Sequence, residues 1–299
     1  NSAARYLELS QASTAIGDEE GTVRAALAGA RLLRQFAPDD STPLYELVLE
    51  HRPGHPESSE ALTDRYRDEE RWSDLVRLIR MRLATTDDPQ RRARDHARLA
   101  EVLIERLGAP EMALAELVAA CRLDDSIPAV YEQRAEVHLL LCDLDHALTS
   151  LKRANGLHHS REDARAQLRN LIRGGEMCLA AKRFDTANSW FRAALDLNHG
   201  NSKAMWGAAR AAAGLENHDE AADLWRELFD AGVEPPEVQA HFACELGRAL
   251  LASGHPGDAE AALRRATATG GASTRSKARA LLARIRLQQD RAADALDLL

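Results

Sequence analysis

Apolar and small residues recur along this chain with the spacing of one face of an α-helix. Six segments each carry an alanine, then a large apolar residue four positions later, and five of them carry a further small or apolar residue at position seven. Residues spaced by four and seven share a helical face, so each segment predicts an amphipathic helix that packs closely on a neighbour. The alanines, called anchors below, are Ala113, Ala147, Ala187, Ala221, Ala259 and Ala295.

The anchors define an internal repeat, with intervals of 34, 40, 34, 38 and 36 residues. The large residues that follow them are Leu117, Leu151, Phe191, Trp225, Leu263 and Leu299. Twelve residues before the anchors a second small position recurs, at Ala135, Gly175, Ala209, Gly247 and Ala283. Stretches rich in Gly, Pro, Asn and Asp separate these segments, which predicts helix–turn–helix units of about 34 residues.

This repeat resembles the tetratricopeptide repeat (TPR), which carries a small residue in its first helix and an Ala, a large apolar residue and a second Ala in its second. Residues 168–200 match best, through Gly175, Ala187, Phe191 and Ala194, although His199 stands where a terminal proline is common. The resemblance covers residues 92–299. It implies an all-α, right-handed α-solenoid of about seven to eight units, whose first helices line a concave groove.

The pattern is looser over residues 1–91. Helices are predicted over 2–16, from 21 to a stop at Pro38, over 43–53, over 57–69 and over 72–85. We interpret this region as divergent units of the same continuous solenoid, and a separate helical cap is the alternative. The chain starts at Asn1 and stops at Leu299 inside a helical pattern, so we expect it to be a fragment of a longer protein.

The composition of the chain argues against several classes of function. The 299 residues carry a net charge of −8 and only 4% aromatics. A negative net charge disfavours general nucleic-acid binding. No run of 18 apolar residues predicts a membrane span. The four cysteines form no paired motif, so we expect small buried side chains in a reducing compartment, and a cytoplasmic location with the periplasm left open. Abundant Ala and Arg suggest a GC-rich bacterial source.

No catalytic motif stands out, and no phosphate-binding glycine loop. We interpret His51 with His55, and His158 with His159, as solvated loop residues because neither pair has further ligands nearby. The paired acids Asp39–Asp40, Asp87–Asp88 and Asp124–Asp125 are interpreted as helix caps and turns. Met112, Trp190, Trp225 and the other Met and Trp residues are assigned to helix packing, except Trp206, which is expected to face the groove. We therefore predict no catalytic residue, no metal site and no cofactor.

A basic strip is the feature most suggestive of function. Eleven residues before the anchors stand Val102, Glu136, Glu176, Arg210, Arg248 and Arg284, and eighteen before stand Asp95, Ala129, Arg169, Lys203, His241 and Lys277. Both series become basic towards the C-terminus. Some family members hold peptide C-termini in a clamp of basic and amide side chains. By resemblance these positions fall on Arg98, Val102, Gln133, Arg169 and Arg173, with Gln133 and Val102 replacing asparagines.

We predict a non-catalytic scaffold or adaptor that binds a peptide or domain of a protein partner in its groove, and the basic strip favours an acidic partner. The candidate partner-binding residues are Arg98, Gln133, Arg169, Arg173, Lys203, Trp206, Arg210, Arg248, Lys277 and Arg284. The alternative is a regulatory or targeting arm of a larger enzyme or of a signalling, motility or secretion protein. RNA binding is disfavoured by the acidic balance. Exposed Leu296, Leu298 and Leu299 could pair two copies of the chain.

Overall fold

The computed structural model describes residues 2–15, 17–36, 38–232 and 234–298, and these form seventeen α-helices without a strand among them. The helices are α1 (Ser2–Ala15), α2 (Glu19–Phe36), α3 (Pro38–His51), α4 (Pro56–Asp68), α5 (Trp72–Thr85), α6 (Pro89–Glu105), α7 (Pro110–Leu123), α8 (Pro128–Leu140), α9 (Leu144–Ser160), α10 (Ala164–Ala180), α11 (Phe184–Leu197), α12 (Ser202–Gly214), α13 (His218–Ala231), α14 (Pro236–Ala252), α15 (Pro256–Thr269), α16 (Ala272–Gln288) and α17 (Ala292–Leu296). The prediction of an all-α chain is confirmed. Asn1 and Leu299, the predicted large residue after Ala295, lie outside the described residues.

The chain divides into two compact units, Asn1–Arg153 and Ala154–Leu299, and the division falls within α9. In the first unit neighbouring helices pack together from α1 on α2 to α7 on α8, and α6 also contacts α8. In the second unit they do so from α10 on α11 to α16 on α17, and α10 also contacts α12 while α14 contacts α16. The predicted subdivision into residues 1–91 and 92–299 of one continuous solenoid stays a prediction.

The repeat positions form the core. All six anchor alanines are at most 2% exposed, as are the large residues that follow the first five. The small positions on the first helices are buried as well. Close packing explains this pairing: a Cβ added at Gly175 would lie 2.6 Å from the Phe191 ring, and one at Gly207 would come closer still. The small-and-large pattern therefore sets the distance between neighbouring helices.

Irregular anchor intervals are accommodated by longer helices rather than by longer loops. Both 34-residue intervals contain a first helix of 13 residues, α8 or α12. In the 38-residue interval, α14 has 17 residues. In the 40-residue interval, α9 and α10 both have 17. The loop assignment of His158 and His159 is therefore wrong, because the extended α9 includes both residues and buries His158.

The predicted stop at Pro38 agrees with the end of α2 at Phe36 to within two residues. Pro38 itself begins α3, with Asp39 and Asp40 in the first turn. Proline suits the first turn because the N–H it lacks has no partner there, and the two carboxylates favour the positive end of the helix dipole. The same logic applies at Asp88 and Pro89 of α6, where the Asp88 side chain accepts a hydrogen bond from the Gln90 N–H. The interpretation of Asp88 as a helix cap is confirmed.

His55 is also a cap rather than a solvated loop residue. Its ring Nδ1 accepts a hydrogen bond from the Ser58 N–H at the start of α4, at 3.3 Å. Two other assignments need correction. Met112 is exposed on α7, since it lies on the face opposite the buried Ala113 and Leu117. Cys142 is exposed because it occupies a turn, whereas Cys178 and Cys244 are buried as expected.

The seven described turns that join a first helix to a second helix, from α4–α5 to α16–α17, share a left-handed residue. It is glycine at Gly108 and Gly254 and a larger residue at the other five, namely Glu70, Cys142, Lys182, Glu216 and Asp290. In most of these turns the following N–H donates to the carbonyl five residues earlier, as Arg183 does to Cys178 at 2.9 Å. This is the Schellman arrangement that ends a helix.

These turns predict a stabilising substitution. A side chain in the left-handed region costs about 1 kcal/mol relative to glycine, so Lys182→Gly and Glu216→Gly should each raise the free energy of unfolding by up to about 1 kcal/mol, as measured by urea denaturation. The matched control is Gly254→Ala, which should lower it by a similar amount because open space surrounds that Cβ and only the backbone is strained. A loss of stability in both glycine variants would contradict this account.

Candidate partner-binding site

The predicted site residues are divided between the two units. Arg98 on α6 and Gln133 on α8 belong to the first unit. The Arg98 guanidinium is exposed and lies 3.8 Å from the Asp95 carboxylate. Gln133 is half-buried, and its Oε1 has no hydrogen-bond partner in the described part of the chain. In the second unit, Arg169 on α10 is exposed and Arg173 is half-buried. A peptide clamp built from these residues stays a prediction.

The other basic candidates lie on three successive first helices of the second unit. All are exposed, and together we call them the cationic face: Lys203 and Arg210 on α12, Arg248 on α14, and Lys277 and Arg284 on α16. Their exposure follows from the repeat, because each is next in sequence to a buried small residue, and successive side chains point about 100° apart around a helix. Ala209 beside Arg210 and Ala283 beside Arg284 are examples.

The half-buried ring of His241 marks the centre of the cationic face. Burial lowers the pKa of His241, and Glu245 opposes that shift. Lys277, Arg248 and Arg210 lower the pKa further, so cations from all three helices lie within electrostatic reach of the ring. The imidazole is consequently neutral near pH 7. It offers one donor and one acceptor there instead of a further positive charge.

Aromatic side chains adjoin these cations. The Trp206 ring is 36% exposed, with its centroid 5.9 Å from that of His241 and 5.6 Å from that of Phe242. Phe242 in turn lies 5.8 Å from the buried Trp225. Trp206 is thus held by α14 on one side and open on the other. Trp206 is therefore more exposed than the buried Trp190 and Trp225, and its place in a groove stays a prediction.

Most basic residues of the cationic face are unpaired. Lys203, Arg210, Lys277 and Arg284 form no ion pair with any residue that the structure describes, whereas Arg248 pairs with Glu245 on its own helix. Elsewhere in the second unit, Arg192 pairs with Glu220 and Arg286 with Glu260 between helices. Arg226 and Arg264 pair within their own helices.

One cluster was missed by the sequence reasoning. His138, Asp143 and His146 come together where α8 turns into α9 in the first unit. The only sequence signal is the spacing His-x4-Asp-x2-His across the segment LCDLDH, which was interpreted as a turn. The spacing alone does not show that the α8–α9 turn brings the three side chains together; this follows only from the conformation of the turn.

No known protein family matches the chain, and no curated protein sequence matches it. Among solved structures, the C-terminal part of a TPR repeat-containing protein from Cytophaga hutchinsonii is similar, with a TM-score of 0.61 and 12% identity over 83% of this chain and 97% of that one. The chain has the TPR fold. MamA from Desulfovibrio magneticus RS-1 (from residue 41) gives a TM-score of 0.47 at 18% identity, over 60% of this TPR chain and 94% of its own. A TPR protein from Parabacteroides merdae gives 0.42 at 15%, over 98% and 89%.

None of the described TPR helices is long and apolar enough to cross a membrane. On the final helix, α17, Leu296 is 73% exposed, while Leu298 packs partly against the core of the second unit and Leu299 is not described. Pairing of two copies through these leucines stays a prediction.

Proposed function

We propose that this TPR chain is a non-catalytic scaffold that binds an acidic segment of a protein partner on the cationic face of its second unit. One observation supports the proposal: Arg210, Arg248 and Lys277, on three successive first helices, all act electrostatically on His241, whose ring lies 5.9 Å from that of the partly exposed Trp206. Unpaired cations raise the local concentration of carboxylates, and arginine can pair with a carboxylate through two hydrogen bonds.

The chemistry of the site also sets what the segment should contain. An exposed ion pair contributes little binding free energy, so the cations would mainly raise the rate of association and the specificity of binding. Tryptophan and arginine are the side chains that most often dominate interface energies. Trp206 therefore favours a segment in which an apolar residue accompanies the carboxylates.

A fluorescein-labelled peptide of alternating glutamate and leucine is a suitable probe, with fluorescence anisotropy as the measurement. The triple variant Arg210→Glu, Arg248→Glu, Arg284→Glu should bind it at least about 10-fold more weakly than the wild type, since several attractions become repulsions. Raising the salt concentration should weaken wild-type binding because exposed charges are screened. Trp206→Ala should also weaken peptide binding, but it should change the salt dependence of binding less than the triple variant does.

The control carries the same change in net charge on exposed arginines away from the cationic face: Arg24→Glu, Arg122→Glu, Arg226→Glu. It should bind the peptide as the wild type does, apart from a small general charge effect. Equal weakening in the two triple variants would overturn the proposal. Tighter, face-dependent binding of a generic RNA than of the acidic peptide would overturn it in favour of a nucleic-acid partner.

A further inference from the structure

The cluster at the α8–α9 turn brings three ligand-type side chains together. The ligand atoms of His138, Asp143 and His146 lie within 4.8 Å of one another. Asp143 Oδ2 is 2.7 Å from His146 Nδ1 and 3.7 Å from His138 Nδ1, so both rings direct the same nitrogen at one carboxylate oxygen. The rings are stacked, with centroids 5.2 Å apart and planes 21° apart.

His138 is the unusual member of this cluster. Its residue is 6% exposed, and both ring nitrogens are buried without a hydrogen-bond partner in the described part of the chain. A buried polar group without a hydrogen-bond partner costs about 1–3 kcal/mol of stability. One of the two unpartnered nitrogens of His138, Nδ1, faces the Asp143 carboxylate.

The turn from α8 into α9 holds Asp143 in this position. Cys142 adopts a left-handed conformation with φ 59°, and the Asp143 N–H donates to the His138 carbonyl at 2.7 Å. Asp143 then caps α9, where its Oδ1 accepts from the His146 N–H at 3.2 Å. Because Oδ1 serves the cap, Oδ2 is left to face the two rings. Capping alone does not account for the buried, unpartnered imidazole of His138.

We propose that His138, Asp143 and His146 form a binding site for a divalent transition-metal ion of the zinc class. Zn²⁺ bonds of about 2.0–2.1 Å place tetrahedral ligands about 3.3 Å apart, a value between the 2.7 Å and 3.7 Å separations observed here. Two imidazoles and one carboxylate suit Zn²⁺, Ni²⁺ or Cu²⁺, whereas Mg²⁺ and Ca²⁺ favour oxygen ligands throughout.

The site would be open on one side. The side chains of Asp143 and His146 are partly exposed, so an ion can enter from solvent and keep water as its fourth ligand. Bound metal would displace the proton between His146 and Asp143 and give His138 its missing partner. It would also tie the end of α8 to the start of α9, so binding should stabilise this turn. The sequence-based prediction of no metal site is replaced by this proposal.

The test uses the full chain after removal of metals with a chelator. Calorimetric titration should show one Zn²⁺ per chain, and Co²⁺ should give the intense visible absorption of a tetrahedral complex. Zn²⁺ should raise the Tm, whereas Mg²⁺ should not. His146→Gln and Asp143→Asn should each weaken Zn²⁺ binding by at least about 10-fold, since even second-shell partners contribute about 10- to 100-fold.

These two variants are chosen to keep the fold. His146 is exposed, and asparagine can still cap α9. The matched control is His159→Gln, which removes an exposed histidine from the other end of α9 and should bind Zn²⁺ as the wild type does. Wild-type affinity in both His146→Gln and Asp143→Asn, with circular dichroism unchanged, would overturn the proposal. Loss of binding in Cys142→Ser would also overturn it, since a thiolate would then be a ligand in place of the proposed donors.

Discussion

A Phe191→Ala variant should lose about 3–5 kcal/mol of unfolding free energy, the usual cost of removing a buried phenyl ring. Phe191 is fully buried on α11, and its ring fills the space against Gly175 of α10 and Gly207 of α12. Neither glycine has a side chain that could move into the cavity. The loss should appear in urea denaturation followed by circular dichroism, as a lower midpoint with little change in slope.

The contact can be tested from the glycine side as well. Gly207→Ala would place a methyl group closer to two carbon atoms of the Phe191 ring than van der Waals contact allows, and overpacking typically costs about 1–3 kcal/mol. The matched control is Gly156→Ala in α9, where nothing lies near the new Cβ. That variant should be more stable by up to about 1 kcal/mol, because alanine is the better helix former.

A double variant separates packing from backbone effects. Phe191→Leu in combination with Gly207→Ala should cost less than the sum of the single changes, with a coupling of at least about 0.5 kcal/mol. Stabilisation by Gly207→Ala equal to that by Gly156→Ala would contradict the close approach of α12 to the Phe191 ring.

The same packing rule explains why the repeat was predictable. Two helices in close contact need a small residue opposite a large one. The spacing of small and large residues around anchors such as Ala187 therefore shows this contact in the sequence itself. The breaker-rich stretches located the turns, but they did not show which residue is left-handed, because that position accepts Lys182 or Glu216 as well as glycine. Likewise Pro38 marked the boundary between two helices but not that it begins the second one, since proline suits the first turn of a helix.

The candidate site was only partly predictable. Exposure of Arg210 and Arg284 follows from their offset to buried alanines on the same helix. That Lys277, Arg248 and Arg210 all act on His241 depends on how α12, α14 and α16 pack together. No spacing within one repeat encodes this. His138 was missed for the same reason, since its neighbours are set by the turn into α9.

Asp95 shows where the offset argument fails. It stands at the position equivalent to the exposed Lys203 and Lys277, yet it is 2% exposed. Its Oδ1 is 2.5 Å from Arg82 Nη2, and Arg82 belongs to α5, outside the regular repeat. Asp95 stands at a position predicted to face the groove, but its ion pair with Arg82 on the preceding helix holds it in the interior.

Arg82→Met should therefore lose about 3–5 kcal/mol of unfolding free energy, because it leaves a buried carboxylate without its close partner. Arg98, the other cation near Asp95, is 3.8 Å away and largely exposed, so it compensates poorly. The double variant Arg82→Met, Asp95→Leu should recover most of this loss, since replacing both members of a buried pair with apolar residues is often neutral.

The pH dependence of the free energy of unfolding provides a second, independent test of this buried pair. Burial raises the pKa of Asp95 above its ordinary value of 3.8, despite the attraction of Arg82 and Arg98. A carboxyl that binds its proton more tightly in the folded state makes stability fall as pH rises from that ordinary value through the folded pKa. Without Arg82 the folded pKa should rise further. The loss in Arg82→Met should therefore be smaller at mildly acidic pH than at neutral pH, whereas Asp95→Asn should lack this titration.

Arg77→Met provides the control on the same helix. Arg77 is 70% exposed, and its 3.1 Å pair with Asp74 lies at the surface, so its removal should change stability little. Urea denaturation of both variants at the two pH values compares a buried pair with an exposed one in the same helix. If Arg82→Met costs no more than Arg77→Met at neutral pH, the Asp95 carboxylate must be reached by solvent. The cause of its burial would then have to be sought in apolar packing around α5 and α6 rather than in its charge partner.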